Sequence, residues 1–344
     1  MLTVQIVLFE GFDLLDAMAP YEVFSAASLH ADRALSVRFV TAEGPRSVAS
    51  GMNGLKIEAS AGLNPRLAGI ILVPGAAGDA DGDGPDSVPA ILGRAMNTEI
   101  TDFMRQAFEQ KDIVVATVCG GSLMLAMGGL LEGRRAVTHR LGMEVLGATG
   151  AVPVPARVVD DGNLVTGGGV TSGLDVALYL VERELGPRIA HEVERLFEYE
   201  RRGTVWKETG LEPRRHPLPG SDDRNPATDS APIDRMELAN PIGPASAFDG
   251  LWDTTIATPI GKMEVKLSIR TSNGSIQGQA VQGDETVAFI DPVLRADKLT
   301  WLLPITKPMR LNLKFEATVD GNFMTGTAKA GILPASALAG TRRI

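Results

Sequence analysis

The sequence predicts a doubly wound, mostly parallel α/β sheet followed by a small antiparallel β barrel or sandwich. Up to Leu185, short apolar β-branched runs alternate with helical patterns. Strands that are apolar on both faces and separated by helices belong to a parallel sheet covered on both sides. From Thr204 to Ala247 periodicity fades into a stretch rich in Pro, Gly, Ser, Asp and Arg, the composition of an extended linker. Beyond Phe248, apolar and polar residues alternate in short segments, the period of half-buried antiparallel strands.

In chain order, Val4 to Phe9 is the first strand, and Leu14 to Leu29 a helix interrupted near its start by Pro20. Val37 to Thr41 and Gly69 to Val73 are apolar runs of strand length. Between Thr98 and Gln110, Ile100, Phe103, Met104, Ala107 and Phe108 fall on one helical face. Ile113 to Val118 is a buried strand, Ser122 to Leu131 a helix rich in Leu, Met and Ala, and Leu174 to Leu185 a further helix. In the last part, Trp252–Thr258, Met263–Thr271, Ser275–Val281, Thr286–Ile290, Leu299–Pro304, Leu311–Thr318 and Asn322–Lys329 are strand segments punctuated by N-G, G-D, A-D and D-G. Seven or eight such strands make a small barrel or sandwich. The expected division is 1–203, a linker over 204–246, and a β domain over 247–344.

Composition narrows the class. The chain is 44% hydrophobic, yet no apolar run reaches the roughly 18 residues needed to span a membrane. The segment M-L-T-V-Q-I-V-L-F-E enters a strand pattern without a basic region, unlike a signal peptide. A single cysteine excludes an internal disulfide and fits a cytoplasmic location. The formal net charge of −9 argues against a nucleic-acid partner.

That cysteine, Cys119, sits at the bend of I-V-V-A-T-V-C-G-G-S-L-M-L-A, between a strand end and a helix start. A tight strand-to-helix turn projects its side chain outward, and a helix N-terminus favours a thiolate. The opposing reading is a small buried thiol, since free cysteine is among the most buried residue types. A cysteine nucleophile needs a proton carrier and donors for developing negative charge. Asp16, in F-D-L-L-D-A-M-A-P-Y-E-V-F, is either a first-turn helix residue or an inward-facing carboxylate. L-V-P-G-A-A-G at 72–78 offers the amides of Gly75 and Ala76 as oxyanion donors alongside Gly120, or is an ordinary β-to-α turn. His139 lies in A-V-T-H-R, after Thr138, at the end of a β-type run; His30, His191 and His216 sit in helix-like or linker contexts.

Three motifs are set aside. D-A-D-G-D-G at 79–84 imitates a calcium loop, but its twelfth position is Ala90 rather than Glu. His191-Glu192 begins a zinc pattern that fails at Arg195. The glycines at 167–169 lack the spacing of a dinucleotide fingerprint.

L-D-A-M-A-P-Y-E-V-F, L-V-P-G-A-A-G, A-T-V-C-G-G-S-L-M-L-A-M-G-G-L-L-E-G-R-R-A-V-T-H and L-V-T-G-G-G-V-T-S-G-L-D-V-A-L-Y-L-V together resemble the ThiJ/PfpI superfamily, and within it the isonitrile hydratase-like branch. The resemblance covers roughly residues 1 to 200. It implies a flavodoxin-like sandwich, commonly a homodimer, with Cys119 reactive, Asp16 as acid and His139 nearby. It further implies a lyase of the hydro-lyase type that needs no metal or organic cofactor. There, sulfur attacks the isonitrile carbon, a carboxyl group delivers a proton to give a thioimidate, and water releases an N-substituted formamide. Two departures stand out. Gly120 replaces the threonine of the hydratase-like Cys-Thr-Gly, leaving Ser122 or Thr138 to supply a hydroxyl. The β domain replaces the DNA-binding helical module of regulatory relatives, and looks like a barrel domain appended to other bacterial enzymes.

Three functions follow. The first is hydration of isonitriles or of related small electrophilic carbon compounds. The second is glyoxalase-like or deglycase-like conversion of 2-oxoaldehydes at the same site. The third is non-catalytic ligand or redox sensing, with Cys119 as an oxidisable thiol.

Overall fold

Five runs of the first half pair as parallel strands; Gly69–Val73 and Leu164–Gly167 are buried on both faces and need a helix layer on either side, while Leu35–Thr41 toward the edge is only partly buried. The computed structural model describes residues 1–79, 84–211 and 246–343, apart from short loop stretches in the last segment. In space the first sheet runs Trp206–Lys207, Val158–Asp160, Leu164–Gly167, Ile113–Thr117, Gly69–Val73, Leu2–Val7, Leu35–Thr41, Ala61–Gly62. Only the pairing of Val158–Asp160 with Leu164–Gly167 is antiparallel. Numbered by appearance, its five central strands stand in the order 2-1-3-4-5, the flavodoxin-like winding. The winding reverses between Leu2–Val7 and Gly69–Val73, which makes a crevice at their carboxyl ends.

Most expected elements are present with shifted ends. The first helix, Leu14–His30, runs through Pro20 instead of being interrupted there. Pro20 removes one backbone donor within the second turn, but Val23, Phe24, Ala26 and Ala27 beyond it are buried and hold the helix on the sheet. The helix after Cys119 is shorter than expected, Gly121–Met127, and stops at Gly128. The Thr98–Gln110 pattern forms a helix over Ile100–Phe108. Helices Val88–Met96, Met143–Ala148 and Pro187–Phe197 were not read from the sequence. Trp206–Lys207 pairs in the first sheet, within the stretch read as linker. The rest of that stretch, 212–245 with His216, lies outside the described residues, as do positions 80–83 of the calcium-like loop.

The β domain is a barrel. Each strand except Glu285–Ala288 pairs antiparallel with its successor, and Gly250–Thr258 also pairs with the last, Ser336–Arg342. Glu285–Ala288 pairs backward with Ser275–Gln282, and Ile290–Arg295 forward with Lys298–Ile305. The bend between them at Phe289, whose amide donates to Gly278 O at 2.8 Å, brings the sheet nearly to closure. Leu299, Trp301 and Leu303 alternate inward with Met263, Val265, Leu267 and Ile269. A barrel of this size is filled by such side chains. Phe289, Trp301 and Phe315 stack through it with ring centroids 4.8 Å apart. No helix among the described residues is long and apolar enough to cross a membrane.

Candidate active site

Three strands end at the crevice, and each hands one piece to it. Ile113–Thr117 leads to Cys119, Leu2–Val7 to Asp16, and Gly69–Val73 to Gly75.

Cys119 has φ +53, a left-handed conformation uncommon outside glycine. Strain of this kind is on the order of 1–3 kcal/mol and persists only where neighbours over-determine it. Here they do. The Cys119 amide donates to Gly167 O at 3.0 Å, and its carbonyl accepts from Thr138 Oγ1 at 2.8 Å. Ser122 Oγ lies 2.7 Å from Val137 O and 3.4 Å from Cys119 O, so its one proton serves Val137. Both hydroxyls considered as replacements for the absent threonine are therefore committed to carbonyl groups around the elbow. The turn also needs Gly121, because a β-carbon there would sit 2.2 Å from Val73 O.

Asp16 fits both of its readings. Asp13 caps the helix by accepting from the Leu15 and Asp16 amides at 2.9 and 3.3 Å, which puts Asp16 in the first turn. The Asp16 side chain is nevertheless wholly buried. Its Oδ2 accepts the Gly75 amide at 2.9 Å, while Oδ1 has no hydrogen-bond partner among the described residues. The Gly75 amide, expected as an oxyanion donor, is thus occupied by Asp16. Gly75 cannot carry a side chain here: a β-carbon would lie 2.6 Å from Gly120 N and 2.8 Å from Asp16 Oδ2.

Burial, then the neighbouring Asp13 charge, push the Asp16 carboxyl well above the ordinary carboxylate range, against the Gly75 hydrogen bond. Burial and the Asp16 carboxylate likewise push the Cys119 thiol upward, only partly opposed by the Gly120 amide. The following helix has only seven residues and the cysteine is 7% exposed, so burial opposes the expected helix-stabilised thiolate.

Ala76 is buried beside Phe12, to which it is bridged. His139 is half-buried, and its Nδ1 accepts the Leu141 amide at 3.4 Å. Burial and Arg140 lower its pKa, so it is neutral near pH 7. No hydrogen bond joins it to Cys119 or Asp16 among the described residues. Sequence reasoning missed Asp13, although an Asp three residues ahead of another at a helix start is a capping signal. It also missed Leu92, whose Cδ1 would lie 3.2 Å from a β-carbon on Gly120. Nothing local in the sequence marks that contact. Among the described residues no group of His, Cys, Asp and Glu has the arrangement of a metal site.

Residues 2–183 match the DJ-1/PfpI family. The isonitrile hydratase of Pseudomonas putida is 43% identical over 131 residues, 38% of this chain and 51% of that protein. The chain therefore spans about half the length of that relative. The Streptomyces lividans "uncharacterized protein in cpoL 5′ region" is 36% identical over 137 residues, 40% of this chain and 86% of that protein. Among solved structures, a ThiJ/PfpI family protein from Pseudomonas syringae is 28% identical with TM-score 0.48, covering 58% of this chain and 76% of that one. The family read from four ordered motifs is the family matched, and the chain belongs to the DJ-1/PfpI family.

Proposed function

We propose that the protein hydrates isonitriles to N-substituted formamides through Cys119. The observation carrying this reading is the cysteine at a positive-φ elbow against a buried carboxyl group with one unpartnered oxygen. Similarity to an isonitrile hydratase supports the substrate class.

The chemistry follows from two neutral partners in a desolvated site. Sulfur attacks the terminal isonitrile carbon while the thiol proton passes to Asp16, and the protonated carboxyl group gives a proton to the same carbon. The S–H bond breaks, S–C and C–H bonds form, and Asp16 ends as it began. The product is a thioimidate, Cys–S–CH=N–R. This relay separates no charge at its end points, which suits a site where burial disfavours ions. Water then adds to the thioimidate carbon, its protons go to nitrogen and sulfur, and the C–S bond breaks to release R–NH–CHO. Gly120 N–H supports the sulfur, Ala76 N–H is the remaining donor candidate for the product oxygen, and Thr138 holds the elbow. His139 takes no step.

Incubation with cyclohexyl isonitrile and chromatographic measurement of N-cyclohexylformamide tests the reading. The Cys119→Ala variant is expected to lose activity by a factor of 10³ or more (roughly 4 kcal/mol). Equal formamide yield from that variant would overturn it.

A further inference from the structure

Leu123, on the helix that follows Cys119, packs against two apolar cores at once, that of the sheet domain and that of the barrel. Val145, on helix Met143–Ala148, is only 5% exposed and belongs to the barrel's apolar cluster instead of the sheet's. Ala148 packs on the same cluster, and the helix lies against barrel strand Leu311–Asp320. The barrel is therefore seated on helix Met143–Ala148 and on Leu123 of the helix that follows the elbow.

The contacts continue inward. A β-carbon on Gly142 would lie 3.3 Å from Leu123 Cδ2 and 3.1 Å from Thr138 Cγ2, so both side chains close on that turn. Thr138 in turn holds the Cys119 carbonyl at 2.8 Å. From these contacts we infer that the barrel acts in cis as a clamp on the nucleophile elbow, with Leu123 and Val145 as positioning residues for Cys119. The elbow is strained, and strain needs surroundings that hold it. Removing one wall of that support lets Cys119 leave its working geometry. The barrel supplies no reacting group; its part is to hold the sulfur against Asp16.

The inference rests on the proposed hydration for its turnover readout only. Cys119 is the sole cysteine, so its alkylation by iodoacetamide reports elbow geometry without any isonitrile. In the full chain, Val145→Asp puts a charge into the apolar seat. Hydrogen exchange is expected to rise in 143–148 and 311–320, alkylation to accelerate at least fivefold, and kcat for formamide to fall tenfold with KM within twofold. Val145→Ile is expected to behave as wild type on all three. If Val145→Asp fails to fold, Ala148→Glu at the half-buried edge of the same seat is measured instead, with the same expectations. Exchange rising while alkylation stays within twofold would overturn the coupling. Exchange unchanged at both segments would overturn the seat itself. Absence of formamide in wild type, with alkylation responding as expected, would overturn the hydration and leave the clamp standing.

Discussion

At Asp16 one side chain meets two demands. Its backbone belongs to a capped helix start, while its carboxyl group is buried against Gly75 N and the Cys119 sulfur. A carboxyl group whose folded pKa is raised binds its proton more tightly folded than unfolded. The folded state is therefore favoured fully below the unfolded value near 4, and that advantage is lost as pH rises toward the raised folded value. The expected slope across this window is about 1.4 kcal/mol per pH unit for one group. The Asp16→Asn variant is expected to lack that slope, melting above wild type at pH 7 with the gap closing toward pH 4, as read by thermal unfolding against pH. It is also expected to lose turnover, because an amide cannot relay the proton. If Asp16 relays the proton as proposed, kcat of the wild type is expected to fall as pH rises through the Asp16 pKa, read from a pH–rate profile. Gly75→Ala is expected to reduce activity at least a hundredfold, since its methyl group would displace either the Gly120 amide or the Asp16 carboxyl group. The burial of Asp16 could not be read locally, because first-turn carboxylates usually face water.

The elements around the site were legible to different degrees. The Ile113 strand and the Gly69–Val73 strand showed themselves as β-branched runs, and Cys119 was located by the strand-to-helix junction alone. The Met143–Ala148 helix was missed because six residues carry less than two turns of periodicity. Pro187–Phe197 directly follows another helix at Gly186, so no loop composition separates the two. Helix Ser172–Leu185 carries the buried Asp175 in its first turn. Asp175 accepts Arg157 Nε at 2.8 Å, Tyr199 OH at 3.1 Å and the Arg202 amide at 2.8 Å. These partners come from two distant chain segments, around 157 and 199–202, and no spacing in the sequence announces them. Asp175→Ala leaves a cation and two donors uncompensated, and is expected to destabilise the sheet domain by about 3 kcal/mol in urea unfolding. Gly121→Ala tests the elbow as an element. Its methyl group meets the Val73 carbonyl at 2.2 Å, with an expected loss of about 3 kcal/mol by the same measurement.

On the scale of the whole molecule, two apolar cores are built on different periods, and both periods were readable. Barrel against sandwich was not decided by alternation, since both architectures share it. Closure depends on the bend at Phe289 and on the last strand, Ser336–Arg342, whose small residues gave it no strand pattern. Arg342 fastens that strand: its guanidinium lies 4.3 Å from the Trp252 ring centroid and donates to the carbonyls of Asp249, Ala247 and Gly321. Arg342→Ala is expected to destabilise the barrel by about 2 kcal/mol, seen as an earlier change in tryptophan emission during urea unfolding.

In the proposed hydration the Cys119 sulfur bonds to the substrate carbon. Rapid acid quench of the protein during incubation with cyclohexyl isonitrile, followed by peptide mass spectrometry, measures this directly. The expected result is a mass increase of one isonitrile on the peptide containing Cys119, decaying as formamide appears. Formamide production with Cys119 unmodified at every quench time, under conditions that preserve a synthetic thioimidate on the same peptide, would contradict it.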